Sequence, residues 1–157
     1  MGLFDAIKSM KNAVTGGSAK VYVDIPSAKL TEPFQIKVRA VSQGSDVKYS
    51  RVYLHLEGIE AVEIPDHEIQ VQENGASRTR RENIKKAVTT LKLELTVTGA
   101  GELKADQTGE WTVEAQLPAG AVPEFRGKLA SHTYRASAGL DCFGNDPDSG
   151  WVGFRVA

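Results

Sequence analysis

Leu91, Leu93, Leu95 and Val97 stand at every second position, with Thr90, Lys92, Glu94 and Thr96 between them. A period of two puts every apolar side chain on one face of an extended strand and every polar one on the other. The same alternation recurs along most of the chain. It runs through Val21, Val23 and Ile25, and through Phe34, Ile36, Val38 and Ala40 up to Gly44-Ser45. It returns in Val52, Leu54 and Leu56 within the run 47–57, which ends at Gly58. Trp111, Val113, Ala115 and Leu117 stop at Pro118; Tyr134, Ala136, Ala138 and Leu140 follow, then Val152, Phe154 and Val156. Shorter pieces at 59–64 and 68–73 read as added edge strands. Seven or more half-buried strands with no helix between them predict an all-β antiparallel sandwich and argue against a parallel α/β sheet. Val38, Leu54, Leu93, Leu95, Trp111, Val113, Leu140 and Phe154 are the expected core. Residues 75–88 stay open, since Ile84 and Val88 fit either one helical turn or a lead-in to the next strand.

The first residues follow another period. Leu3, Phe4, Ile7, Met10 and Val14 recur at helical spacing, and Thr15-Gly16-Gly17-Ser18 supplies a stop and a joint. The expected organisation is a short amphipathic helix over 3–14, a unit of 1–18 with its joint, then one sandwich domain over 19–157. Twelve residues are marginal as an isolated helix, so the face Leu3, Phe4, Ile7 and Met10 needs a surface. The sandwich itself, a second copy in a homo-oligomer, or a membrane could supply one. Lys8 and Lys11 against Asp5 leave a side-chain charge of +1, too little for firm attachment to anionic lipid. Protein is the expected surface.

Composition narrows the partners. Nineteen basic residues face 20 acidic ones in 157, a formal net charge of −1, so nucleic acid is not an expected partner. One cysteine, Cys142, allows no internal disulfide. No apolar run approaches the roughly 18–20 residues that span a bilayer. The expected location is cytoplasmic.

The search for catalytic chemistry is thin. His55, His67 and His132 have no close metal-ligand spacing. Gly99-Ala100-Gly101 lacks the third glycine of a phosphate turn and reads as a hairpin turn. Asp146-Pro147-Asp148-Ser149-Gly150 lacks the ligand set of a calcium loop and reads as a polar turn. Cys142 has only His132 as a nearby base in sequence. Charge is better organised. Glu57 to Glu73 holds six acidic residues and no Lys or Arg, and Arg78, Arg80, Arg81, Lys85 and Lys86 follow with only Glu82 opposed. The two arms could attract each other in a solvated loop, or the basic residues could form a docking patch for an acidic or phosphorylated partner.

The C-terminal third carries a resemblance. Leu117-Pro118, Pro123, Phe125-Arg126-Gly127-Lys128 and Tyr134-Arg135-Ala136-Ser137-Ala138-Gly139-Leu140-Asp141 resemble the arrestin-domain pattern. Leu3-Phe4 through Gly16-Gly17 to Ala19-Lys20-Val21, the strand Val52-Tyr53-Leu54-His55-Leu56 and Asp146-Pro147-Asp148 resemble its bacterial branch, the sporulation-control proteins. The resemblance is loose over 57–88. It implies an arrestin-like sandwich of immunoglobulin type and a non-catalytic adaptor or regulatory protein, without cofactor, catalytic residue or metal ligand. Family members usually carry two such sandwiches, and this chain has length for one. Two other classes stand beside that expectation: a peripheral membrane protein, and a small hydrolase or metal-dependent enzyme on a β-sandwich.

Overall fold

The computed structural model describes residues 18–157, so the expected helix over 3–14 and its face Leu3, Phe4, Ile7 and Met10 lie outside the described residues. Within them the chain forms ten strands: β1 (Ala19–Asp24), β2 (Phe34–Ser42), β3 (Val47–Tyr49), β4 (Arg51–Glu73), β5 (Ala76–Thr98), β6 (Gly101–Leu103), β7 (Thr108–Ala115), β8 (Phe125–Arg126), β9 (Ala130–Asp141) and β10 (Val152–Phe154). One sheet has the order β1-β2-β7. The other runs β10-β9-β4-β5, with β8 also paired to β9, and β3 pairs β6 in a small third sheet. Every ladder between these strands is antiparallel. The period-two pattern is satisfied literally: β2 reads buried-exposed along Phe34, Ile36, Val38 and Ala40, and β4 buries Val52, Leu54 and Leu56.

Burial grades with position in the sheet. Val38, Leu54 and Leu140 lie on the interior strands β2, β4 and β9 and are fully buried. Leu93, Leu95, Trp111, Val113 and Phe154, also expected inside, pack against the core but stay half-buried. The reason is topological: β5, β7 and β10 are edge strands, so one flank of each side chain has no neighbouring strand.

Three other expectations are corrected. The run 47–57 is interrupted at Ser50, whose amide donates to the Asp141 carbonyl at 2.8 Å, so Val47–Tyr49 pairs Leu103–Gly101 instead of extending β4. Gly99-Ala100-Gly101 is not a hairpin turn, because it carries the chain from β5 in one sheet to β6 in another. The pieces at 59–64 and 68–73 are one strand with 51–57, and of the open stretch 75–88 all but the turn residue Gly75 is strand. Residues 51–98 therefore make a single hairpin of two 23-residue strands.

Candidate interaction surface

That hairpin outruns the sandwich. Strand β9 accompanies β4 only as far as the Val62–Ala130 pair, and beyond it β4 and β5 continue as a two-stranded arm. Its tip is Asn74-Gly75, with φ of 51° and 78° between the paired Glu73 and Ala76. Two successive positive φ values define the mirror-image turn that matches strand twist, and Asn-Gly is its preferred sequence. This dipeptide was the signal that could have resolved 75–88. Along the arm, Pro65 and Asp66 form a bulge where the ladder shifts between Ile64 and His67. Asp66 takes φ 57°, and its amide donates to Asn83 Oδ1 at 3.0 Å. A bulge is where a strand tolerates proline.

The arm is fastened at its root by His132. Its ring is fully buried, and its Nε2 lies 2.7 Å from Thr90 Oγ1, in the residue that β5 bulges out between the Gly58–Leu91 and Ile59–Thr89 pairs. Gly58 makes the room: a Cβ there would stand 2.9 Å from Thr90 Oγ1 and 3.2 Å from the imidazole. Tyr134 packs edge-on to the same ring at 4.9 Å and donates its hydroxyl to the Val122 carbonyl at 2.5 Å. His132 is thus part of the packing. His55 lies on the outer face beside Tyr53 and Glu94, and His67 is on the exposed arm. Among the described residues no three His, Cys, Asp or Glu side chains converge in a metal-holding group.

The remaining sequence candidates are equally separate. Cys142 follows the far end of β9, about 30 Å of strand from His132. Burial, then the Asp146 and Asp141 charges, push its thiol above the ordinary range. Thiolate is the reactive form, so alkylation of Cys142 should be slow at neutral pH and rise only on the alkaline side of a free cysteine's profile. A rate profile with iodoacetamide checks this, and a profile shifted to the acid side would contradict it. The Asp146–Gly150 segment caps itself: Asp146 Oδ1 accepts the Cys142 amide at 2.9 Å, and Asp148 Oδ1 accepts the Gly150 amide at 2.7 Å. Close by, Tyr53 is pushed up to about 12 by burial and then by Asp146, Asp148 and Asp141.

The basic run Arg78, Arg80, Arg81, Lys85 and Lys86 lies on β5 of the arm, where alternation divides it between two faces. On the outer face Arg81 pairs Asp66 at 2.9 Å and Glu68 at 3.9 Å, and Lys85 pairs Glu63 at 3.2 Å. The two charged arms do attract each other there. On the inner face, which continues the core-facing side of the sheet, Arg80 pairs Glu82 at 2.8 Å. Arg78 and Lys86 have no ion-pair partner among the described residues. That inner face also carries what the sequence reading missed. Val62, Ile64, Ile69 and Val71 on β4 and Ile84 and Val88 on β5 form a line of apolar side chains from root to tip. Val62 is 37% and Val88 59% exposed, and Phe125, in register with His132 on the same side, is 43% exposed.

Two antiparallel sheets, one of them extended by a long β-hairpin whose charged and apolar faces stand clear of the core, define an arrestin-like β-sandwich fold, with no metal-holding group of His, Cys, Asp or Glu among the described residues. Among solved structures the chain is similar to the sporulation control protein Spo0M from Bacillus subtilis, with a TM-score of 0.59 and 17% identity. The match covers 89% of this chain and 49% of that one, so this chain spans about half the length of that structure. No family model and no curated protein matches the sequence. The arrestin-like resemblance carried by Leu117-Pro118 through Asp146-Pro147-Asp148 therefore holds at the level of fold. Those residues form β8, β9 and their flanks.

Proposed function

We propose that the chain is a non-catalytic, arrestin-like adaptor or regulatory protein that holds a protein partner on its long hairpin, with the sandwich as the rigid base. The observation that carries this reading is the arm itself. A 23-residue strand pair is extended well past the last residue its own fold covers, and it displays two cations without an ion-pair partner among the described residues, Lys86 near its root and Arg78 near its tip, beside apolar side chains. The name of Spo0M, a sporulation control protein, fits a regulatory role, and the process it controls is not carried over. A cytoplasmic partner with acidic or phosphorylated segments suits Arg78, Arg80 and Arg81.

The triple change Arg78→Glu, Arg80→Glu, Arg81→Glu tests this. Partner capture from native cell extract, read by quantitative mass spectrometry against the unaltered chain, should fall sharply and weaken with added salt. The melting temperature should move little, because exposed ion pairs are worth about 0–1 kcal/mol. An unchanged set of captured proteins would remove the arm from the function.

A further inference from the structure

The sandwich is open at one corner. Strand β1 is the outer strand of one sheet and β10 of the other, and between them lies a cleft of about 270 Å³. Its walls are Val23, Ile25 and Pro26 on one side and Ala136, Val152 and Phe154 on the other. Ile25, Val152 and Phe154 pack against the core yet stay half-buried, so the core meets solvent here through apolar side chains. Two charges stand at the cleft. Arg155 is held by Glu124 at 2.9 Å, whereas Asp24 is exposed and has no ion-pair partner among the described residues. The volume lies below the roughly 300–1,000 Å³ of small-molecule sites, and one free carboxylate cannot fix a ligand's orientation. The cleft suits one or two large apolar side chains of a polypeptide.

We propose that this cleft receives Leu3 and Phe4 of the chain's own N-terminal segment. The inference is independent of what the arm binds. Position and length argue it. The described chain opens at Ser18, whose carbonyl accepts the Gln43 amide at 2.9 Å, so the start of β1 is fixed. From Ser18 to Asp24 the strand advances about 20 Å. A helix over 3–14, the element its apolar spacing specifies, is about 18 Å long. Reversal at Gly16-Gly17 lays that helix back along the free edge of β1 and brings its first turn to the cleft. Charge agrees with this direction. The helix N-terminus, the positive end of its dipole, comes beside the unpaired Asp24 carboxylate. Leu3 and Phe4 are adjacent in that turn and enter together, and Ile7, one turn on, meets the rim. A helix continuing outward from Ser18 would leave Leu3, Phe4, Ile7 and Met10 in water, where 12 residues are marginal as a helix.

Cysteine pairs in a Cys142→Ser background test the placement in the full chain. Gly2→Cys with Ser27→Cys puts one thiol just before Leu3 and the other next to Pro26, and leaves the apolar groups in place. Gly2→Cys with Ser45→Cys is the reference pair, because Ser45 is two residues from the fixed Gln43 and so nearer the root of the segment. An undocked tether meets the nearer thiol more often and closes the Ser45 pair faster. Docking should reverse this order, with the Ser27 pair forming an intramolecular disulfide at least tenfold faster on mild oxidation. Adding Leu3→Gln and Phe4→Gln should restore the tether order, and Asp24→Lys should slow the Ser27 pair severalfold. The Ser45 pair closing first without these changes overturns the proposal, as does an order that Leu3→Gln with Phe4→Gln leaves unaltered. A Ser27 pair that links two chains rather than closing within one overturns it in favour of a second copy's segment. Sedimentation with anionic vesicles that requires Leu3 and Phe4, with the Ser45 pair still first, replaces the cleft with lipid.

Discussion

Replacing Tyr134 with alanine should cost about 3–5 kcal/mol, the range for emptying a large aromatic from a core. The ring is fully buried on β9 and packs edge-on to His132 at 4.9 Å and against Phe154 at 5.9 Å. Its hydroxyl holds the Val122 carbonyl and so ties the 118–124 segment to the sheet. Tyr134→Phe separates the two contributions: losing only the hydrogen bond should cost about 0.5–1.5 kcal/mol. Urea unfolding of both variants checks the partition. If Tyr134→Ala and Tyr134→Phe lost equal stability, the ring would contribute nothing and the packing described for β9 would be wrong.

Leu54→Ala should cost about 2–5 kcal/mol, through lost transfer free energy and the cavity left in a fixed surround. Leu54 is 0% exposed on β4, paired to Leu95 on one side and Ala138 on the other. Leu93, one strand outward on β5 and opposite Leu56, is half-buried, so Leu93→Ala should cost distinctly less. The comparison tests the burial gradient itself. Equal losses would place β5 inside the sheet, contrary to the strand order.

The same gradient explains what could be read from the sequence. Alternation identifies which face of a strand points inward, and that succeeded for Val38, Leu54 and Leu140 as well as for Leu93 and Trp111. It is blind to whether a strand has neighbours on both sides, which is a property of topology. Hence five of the eight expected core residues proved to lie at its margin. The arm failed for a related reason. Its inner face mixes Val62, Ile64, Ile69 and Val71 with Glu60, His67 and Glu73, and a bulge at Pro65-Asp66 breaks the period midway. A window of five or six residues sees two fragments there. Charge told more: the acidic and basic runs were visible as opposed arms, and on the outer face they pair as such. Which cations remain unpaired depends on register, and Arg78 and Lys86 could be distinguished from Arg81 and Lys85 only after the Asn74-Gly75 turn fixed it.

Strand β4 passes from the most buried part of the molecule, and β5 beside it from the half-buried margin of the core, to the exposed tip. Their backbone amides therefore sample two very different opening costs along one continuous ladder. Near Leu54 and Leu56 an amide can exchange with solvent only when the sandwich opens, whereas near Glu73 and Ala76 fraying of the tip suffices. The hairpin is a graded zipper, closed by the core at one end and free at the other. Anything that grips the free end raises the protection of the distal amides first and leaves the proximal ones as they were. Binding at the tip would therefore be recorded as a shift in where along the two strands the exchange rate changes, rather than as a change in the stability of the whole.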